Sequence, residues 1–331
     1  FALTGQTVTL APKSSAYPVQ QVTRDAGVNL HWSPDGRRLY WSLGPELFQR
    51  ELGRTFAWAA EGAAADTTPV RPDSTGVFIG FRLPGDRPAG TVALVGGTVI
   101  SMKGEEVIPD ATVLVQGNRI TAVGPAASVA VPVGATRVDV AGKFLMPGLV
   151  DVHAHTPVGG HGLTPQANWS YLANLAFGVT TMHDPSNNTE MVFAGSELLK
   201  AGRTLGPRLY STGTILYGAE GGARAQVNNL DDALGHLRRL KAVGAFSVKS
   251  YNQPRRDARQ QIVEAARRLG MMVVPEGGST YHWNMTHVLD GHTGMEHNIP
   301  VAPLYNDALS LIAASQTGYT PTLIVNYGGL S

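Results

Sequence analysis

The sequence Leu149-Val150-Asp151-Val152-His153-Ala154-His155 decides the fold, because it is an apolar strand pattern that ends in two histidines two residues apart. Side chains two residues apart on a strand point to the same side, so both imidazoles would face one space. Two neutral imidazoles at the carboxyl end of a strand can bind one divalent ion at about 2.0–2.1 Å per nitrogen. Taken alone, the pair is equally compatible with a metal site and with two polar loop residues.

Beyond this stretch, short apolar strands alternate with amphipathic helices, which is typical of a parallel sheet built from βα units. Helices with charged outer faces are predicted over residues 231–243 and 259–269. This spacing favours an α/β fold in which residues 148–331 form the first six to seven units of a (β/α)8 (TIM-like) barrel, and a doubly wound sheet is the alternative. The predicted strands end near His155, Asp184, Thr212, Ser250, Glu276 and His297.

The residues before the barrel predict smaller β elements. Residues 91–124 alternate as in a sheet of hairpins, and residues 51–90, rich in Ala, Thr, Pro and Gly, are predicted to be a linker that holds a strand near 76–81. In residues 1–50 a strand is predicted over 7–10, and Pro34-Asp35-Gly36 predicts a hairpin turn between two aromatic-rich runs. The stretch around this turn resembles the repeat of TolB-type and WD40-like β-propellers, which implies the last blade of a propeller.

Composition excludes several classes of function. The 331 residues contain 26 Lys and Arg against 25 Asp and Glu, so no net field favours nucleic acid or an anionic membrane surface. Cysteine is absent, so a metal ion would be held by His, carboxylate or modified Lys. No apolar run reaches the ~20 residues of a membrane span, and no nucleophile elbow, phosphate loop or dinucleotide fingerprint follows a predicted strand. A small-molecule partner is therefore expected.

Several segments together resemble the amidohydrolase superfamily, especially its prolidase-like and imidazolonepropionase-like members. The resemblance covers roughly residues 91–331, and it places residues 91–147 in the first part of the small composite β-sandwich that precedes the barrel in that family. The matching barrel segments are the beginning of the first strand (143–155), the second strand (178–184), the third (206–213), the fourth, which ends in a lysine (244–249), and the sixth, which carries a histidine (294–297).

The resemblance implies a metal centre. In it, His153 and His155 bind one metal, Lys249 is carboxylated and bridges two metals, and His297 belongs to the second metal. One or two divalent ions, most often zinc, are implied. From the residues alone, Lys249 is either a solvated charge at a strand end or a buried amine whose pKa is lowered toward the neutral form that carboxylation requires. His297 is either a ligand or a core histidine.

The fifth strand departs from the family pattern. A histidine usually follows its apolar run, whereas this chain reads Met271-Met272-Val273-Val274-Pro275-Glu276-Gly277-Gly278. Glu276 is favoured as the replacement ligand, because a carboxylate binds zinc or a harder metal. Two alternatives stay open. In the first, Glu276 pairs with a cation and the second metal is weak or absent. In the second, one of His282, His287 and His292 supplies the missing imidazole.

Other polar residues at the predicted strand ends have supporting roles in this scheme. Asp184 is expected to orient a ligand histidine as an outer acceptor. His183 is expected at the rim as a substrate contact. His161, in the loop after the first barrel strand, and His282 are further candidates for substrate binding, and a surface histidine is an equal interpretation of His161.

These features predict a metal-dependent hydrolase of carbon–nitrogen bonds in an amide, peptide or cyclic amide, including a dipeptidase or prolidase-like activity. The family's last catalytic aspartate lies on an eighth strand, and the sequence reaches Ser331 soon after a seventh strand predicted over 319–325. A second chain or segment is therefore expected to complete the barrel, within an oligomer. The alternatives are a non-catalytic binding scaffold and a metal-dependent deaminase or esterase. The propeller resemblance favours a periplasmic or secreted protein.

Overall fold

A computed structural model shows how the chain folds. The part of the chain that the structure describes comprises Gly5 and residues 19–25, 27–55, 75–160, 162–218, 225–278 and 280–322, without the side chain of Arg54. Several predicted features lie outside the described residues: the strand over residues 7–10, residues 56–74 of the 51–90 linker, His161 and the end of the seventh strand. Among the described residues, no helix has both the length and the apolar character that crossing a membrane requires.

The chain divides into two compact units. The His153 unit comprises Leu83–Asp184 and Met191–Tyr210. The Lys249 unit comprises Phe1–Arg82, Pro185–Glu190 and Ser211–Ser331. The domain boundaries predicted from the sequence stay a prediction.

A four-stranded antiparallel sheet opens the Lys249 unit, in the order β1-β2-β3-β4. The predicted hairpin is confirmed, because β1 pairs with β2 across a turn in which Gly36 adopts a φ of 69° and the hydroxyl of Ser33 donates to Asp35 at 2.5 Å. Stacking of Trp41 on Phe48, with ring centroids 5.6 Å apart, packs the next two strands together. The elements are β1 (Val28–Trp32), β2 (Arg38–Leu43), β3 (Glu46–Glu51), the short helix α1 (Leu52–Thr55) and β4 (Val77–Phe78).

The first sheet of the His153 unit confirms the predicted hairpins, since β5 and β6 pair antiparallel, as do β6 and β7. Two short strands that the sequence did not reveal, β8 and β9, run parallel to β5. Val99, Ala111 and Val113 form the buried core of this sheet. The strands are β5 (Thr91–Ile100), β6 (Val107–Gln116), β7 (Arg119–Pro125), β8 (Thr136–Asp139) and β9 (Phe144–Leu145).

The second sheet of the His153 unit has the order β10-β11-β12, and β10 pairs parallel with β11 as predicted. Two helices follow the first two strands, and apolar residues including Tyr171, Met182 and Leu209 form the core. Asn168 begins the first of these helices, because its side chain accepts from the Ser170 N–H at 2.9 Å. The elements are β10 (Leu149–Asp151), α2 (Trp169–Ala176), β11 (Val179–Asp184), α3 (Thr189–Lys200) and β12 (Arg208–Ser211).

The rest of the Lys249 unit contains two parallel strand pairs with helices between them. The helix predicted over 231–243 is present as α4, capped by Asn229, whose side chain accepts from the Asp232 N–H at 2.9 Å. The helix predicted over 259–269 begins earlier, at Arg256, and ends at Gly270 in the left-handed conformation. The elements are α4 (Leu230–Ala242), β13 (Ser247–Tyr251), α5 (Arg256–Leu269), β14 (Met272–Pro275), α6 (Tyr281–Asp290), β15 (Gly294–Glu296), α7 (Asn306–Ser315) and β16 (Gly318–Thr320).

The structure therefore shows an α/β fold with the predicted order of strands and helices. Within the described residues the strands after Pro147 pair as separate small sheets, and these sheets are not closed into a barrel.

Candidate functional site

His153 and His155 lie in a loop, so their predicted place on the strand was wrong. Strand β10 ends at Asp151, because the Asp151 carboxylate accepts the N–H of His153 at 3.0 Å and turns the backbone out of the sheet. The N–H of Ala154 then donates to the carbonyl of His183 at 3.0 Å, which fixes the loop to β11. The two imidazoles are therefore oriented by a turn that a side-chain and a backbone hydrogen bond hold in place, and not by strand alternation.

The imidazoles of His153 and His155 nevertheless meet. Their Nε2 atoms are 3.1 Å apart, and the rings lie edge to face with centroids 4.9 Å apart. Behind His155 lies Asp184, whose Oδ1 is 3.6 Å from Nδ1 of the ring. The carboxylate of Asp184 is fully buried and accepts the N–H of Thr156 at 3.3 Å. Asp184 thus has the position from which an outer carboxylate orients a histidine.

A buried tyrosine, Tyr171, is close enough to Asp184 to be affected by its charge. The phenol of Tyr171 is buried and has no hydrogen-bond partner among the described residues. Burial, and secondly the charge of Asp184, raise the pKa of Tyr171 to about 12. Tyr171 is therefore a neutral packing residue of this unit at physiological pH. His183 lies nearby, half-buried, and its ring Nδ1 is 3.2 Å from the carbonyl of Val152.

In the Lys249 unit, three predicted ligands form one buried group, named here the Lys249 triad: Lys249, Glu276 and His297. One oxygen of Glu276 forms an ion pair with the Lys249 ammonium, and the other contacts Nε2 of His297. Nδ1 of His297 is 3.1 Å from the hydroxyl of Thr322. Only 1% of the Lys249 side chain is exposed, so the alternative of a solvated charge at a strand end is wrong.

The charge state of Glu276 follows from these contacts. Burial alone raises the pKa of this carboxyl, but the charge and hydrogen bond of Lys249, and then those of His297, outweigh burial and leave the pKa below its ordinary value. Glu276 is therefore a carboxylate at neutral pH. The cation pairing that the sequence left open for Glu276 is present. Its role as a metal ligand stays a prediction.

Two backbone features hold the triad together. Gly277 lies so close to the next strand that a Cβ built on it would be 2.1 Å from the carbonyl oxygen of Glu296, so only glycine lets the ends of β14 and β15 approach this closely. His297 follows with a φ of 67°, in the left-handed region that L-residues rarely adopt. The backbone strain at His297 is located where the side chain reaches Glu276.

The other histidines near the fifth strand have different partners. Nε2 of His292 is 3.0 Å from the hydroxyl of Ser250, and its Nδ1 donates to the carbonyl of His287 at 3.1 Å. His287 packs edge to face on His292, and its own ring nitrogens have no hydrogen-bond partner among the described residues. Burial lowers the pKa of His292 to about 4 and that of His287 to about 2. His282 is exposed on α6 and lies against Tyr281.

Some residues of both groups were not found by sequence reasoning. Asp151 carries a detectable signal, because an Asp two residues before the residue whose N–H it accepts is the spacing of an Asx turn. Thr156 and Thr322 carry no such signal. Their contacts, with Asp184 and His297 respectively, join residues that are 28 and 25 positions apart.

Comparison with known proteins gives three findings. No family model matches the chain. Among curated proteins, it is 42% identical over 71 residues to an adenine deaminase of Rubrobacter xylanophilus, a match that covers 22% of this chain and 12% of that protein. It is 37% identical over 102 residues to an adenine deaminase of Paracoccus denitrificans, covering 30% and 16% of the two chains.

Solved structures match over more of the chain. A prolidase-like protein from Bifidobacterium longum has a TM-score of 0.59 at 20% identity and covers 70% of this chain and 60% of its own. An amidohydrolase has a TM-score of 0.58 at 20% identity, covering 71% and 67%. This chain resembles the amidohydrolases. The resemblance stated from the sequence is confirmed, and at this identity it shows the amidohydrolase fold.

The curated matches cover a small part of each relative. The two curated deaminases match the chain over less than a fifth of their own length. None of the proteins named here supports the propeller resemblance of residues 1–50.

Proposed function

We propose that the chain carries the metal centre of a hydrolase that acts on carbon–nitrogen bonds. The observation that carries the proposal is the Lys249 triad, in which an amine within β13, a carboxylate directly after β14 and an imidazole directly after β15 meet while almost completely buried. Buried polar groups on an amidohydrolase fold are where a functional site is expected.

We assign His153, His155, Lys249, Glu276 and His297 as ligands of one or two divalent ions, with zinc as the expected metal. The nitrogen and oxygen atoms of these side chains are suitable ligands for such an ion. Two neutral imidazole nitrogens 3.1 Å apart repel each other unless a proton or a cation lies between them, and imidazole with carboxylate is a ligand set that zinc accepts. When bound, such an ion acts as a Lewis acid that polarises a carbonyl and lowers the pKa of a bound water.

The residues around the proposed ligands have supporting tasks. Asp184, fixed by the Thr156 N–H, orients His155 through its Nδ1 and so directs Nε2 outward. Glu276 balances the charge of Lys249 and positions His297. Carboxylation of Lys249 is part of the proposal: the neutral amine adds CO2 and releases one proton, which requires that Lys249 first leaves its ion pair with Glu276.

His183 and His282 are assigned to substrate contact, as is His161. The strands after Pro147 are assigned to a (β/α)8 barrel that a further segment or second chain completes within an oligomer, and residues 1–50 to a propeller-like segment. Support for the barrel comes from the parallel pairing of β10 with β11, β13 with β14 and β15 with β16.

Metal analysis of the purified full chain tests the function. We expect about one to two divalent ions per chain, and loss of at least half of the bound metal when His153 and His155 are both replaced by Asn. His31→Asn, which changes an exposed histidine of the β1–β2 hairpin, is the matched control and should leave the metal content unchanged. Well under one ion per chain after dialysis against zinc would favour a non-catalytic scaffold and overturn the proposal.

A deaminase is a second candidate function, and it is favoured by the two curated relatives described above, since both are named adenine deaminases. Such an enzyme replaces an amino group on a purine ring with oxygen and releases ammonia. Solved structures of the same fold include a Xaa-Pro dipeptidase, so the fold accommodates both chemistries. Assays of ammonia release from adenine and of proline release from a Xaa-Pro dipeptide, on the same zinc-loaded sample, separate the two candidates.

A further inference from the structure

A cavity of about 550 Å³ lies in the Lys249 unit, beside the strand that carries Lys249. It is named here the Tyr217 cavity, and its walls include Asn187, Asn188, Thr214, Tyr217 and Tyr251. Its volume falls within the range of pockets that bind small molecules, about 300–1,000 Å³. The other described residues of the lining are a serine and an isoleucine, so none of the described wall residues carries a charge.

The walls of the Tyr217 cavity are fixed by hydrogen bonds. The hydroxyl of Thr189 accepts the N–H of Thr214 at 3.0 Å and lies 2.8 Å from its hydroxyl. The N–H of Asn187 donates to the carbonyl of Gly213 at 3.3 Å. These bonds join the segment Pro185–Glu190 to the loop after β12. The backbone of both segments and the Thr214 hydroxyl are therefore held in place before a ligand arrives, which reduces the entropy lost on binding.

Two aromatic rings also line the cavity. Tyr217 and Tyr251 lie edge to face, with centroids 5.1 Å apart and planes at 87°. The Lys249 ammonium is 5.6 Å from the centroid of the Tyr251 ring, so this ring is near the triad. Tyr251 has a φ of 48°, a strained conformation for a bulky residue, directly at the end of β13.

We infer that the Tyr217 cavity binds an uncharged planar group of the substrate, such as an aromatic ring that bears a carboxamide. Edge-to-face tyrosines select flat rings, and the asparagine and threonine side chains match an amide, which both donates and accepts. A carboxylate would meet no cation among the described lining residues to offset the water it loses on binding. This inference rests on the proposed function, since it assigns the substrate class of the same site.

Binding of two isosteric probes to the full chain tests the inference. Benzamide and benzoate have nearly the same shape and differ in charge. Ligand-observed NMR titration at pH 7.5 should show benzamide binding at least tenfold more tightly than benzoate. Tyr217→Ala should weaken benzamide binding at least tenfold. Tyr305→Ala is the matched control, because Tyr305 is 73% exposed and does not line the cavity, and it should leave binding unchanged.

A charge substitution gives an independent readout that a folding defect would not imitate. Asn188→Lys places a cation at an exposed position of the wall, so it should strengthen benzoate binding and reduce the preference for benzamide at least threefold. Equal binding of the two probes by the unmodified chain, or benzamide binding that survives Tyr217→Ala, would overturn the inference.

The two proposals fail in different ways. A chain that binds benzamide at the Tyr217 cavity but holds no metal and hydrolyses no amide would overturn the proposed function and leave only the ligand preference of the cavity standing. A zinc-loaded chain that hydrolyses amides but binds benzamide no better than benzoate would do the reverse.

Discussion

At the scale of single residues, the carboxylate of Glu276 is the centre of the Lys249 triad. It contacts a cation on one oxygen and an imidazole on the other, in a part of the chain where only about a tenth of its side chain reaches solvent. A buried charge that loses its partner is destabilising, because water does not replace the lost contact.

Glu276→Gln is therefore expected to lower the free energy of unfolding by about 3 kcal/mol, because it leaves the Lys249 ammonium buried without a counterion. Urea unfolding at pH 7.5 measures the change. Glu264→Gln is the control: Glu264 pairs with Arg267 and Arg268 on the outer face of α5, where solvent screens the charges, and its loss should be much smaller. Equal losses in the two variants would contradict this view of Glu276.

The buried histidine pair predicts a pH dependence. Burial lowers the pKa of His292 from 6.5 in the unfolded chain to about 4 in the folded chain. Between these two pH values the imidazole is protonated in the unfolded chain and neutral in the folded chain. Stability is thus retained above pH 6.5 and decreases as the pH falls toward 4, by about 3 kcal/mol at most from this group. Urea unfolding between pH 7 and pH 4.5 should show a shallower decrease in His292→Gln. An unchanged slope would contradict the assignment.

Residue identities were predicted better than residue positions. Lys249, Glu276 and His297 were singled out from the sequence, and the structure brings them into contact. The predicted strand position of His153 was wrong, because the side chain of Asp151 ends β10 early. Alternation of side chains along the sequence describes a strand only as far as the backbone pairing with a neighbouring strand continues. A side chain that accepts a backbone N–H can end that pairing.

At the scale of elements, the approach of β14 to β15 depends on Gly277. The residue has no positive φ, so its role is spatial: a Cβ would overlap the carbonyl oxygen of Glu296, which belongs to rigid backbone. Because Glu276 precedes this glycine and His297 follows Glu296, any separation of the two strand ends also separates two members of the triad.

Gly277→Ala is expected to destabilise the chain by about 1–3 kcal/mol, as overpacking of a buried site does, and to weaken metal binding with it. Thermal unfolding with and without zinc measures both effects. Gly53→Ala is the control, since a Cβ at Gly53 meets nothing within 4 Å. A Gly277→Ala chain as stable as the unmodified one would show that the strand ends can move apart without cost.

The order of elements could be predicted because apolar runs and helix periods are local properties of the sequence. The ends of β11 to β15 fall within one residue of the predicted ends. The strands β8 and β9 were missed, since each is short and pairs with β5 from a distance along the chain. Contacts of that kind depend on tertiary structure, which no local pattern encodes.

At the scale of the whole molecule, the proposed metal links binding to folding. A ligand that binds only the folded chain raises its stability by about 2.7 kcal/mol when present at a hundred times its dissociation constant. Chelator treatment should therefore lower the thermal midpoint of the full chain, and zinc should restore it. In the variant with both His153 and His155 replaced by Asn, most of this difference should disappear. A midpoint that chelator and zinc leave unchanged would contradict the metal assignment.

The division of the chain into two interleaved units has a consequence for recombination between homologues. The chain passes from one unit to the other after Arg82, Asp184, Glu190 and Tyr210, so no single crossover exchanges either unit intact. A block exchange of residues 83–210 would move the complete His153 unit, but it would also carry Pro185–Glu190 and with it two amides of the Tyr217 cavity. Chimeras made at these breakpoints would inherit the loop with His153 and His155 from the same parent as two wall residues of the Tyr217 cavity.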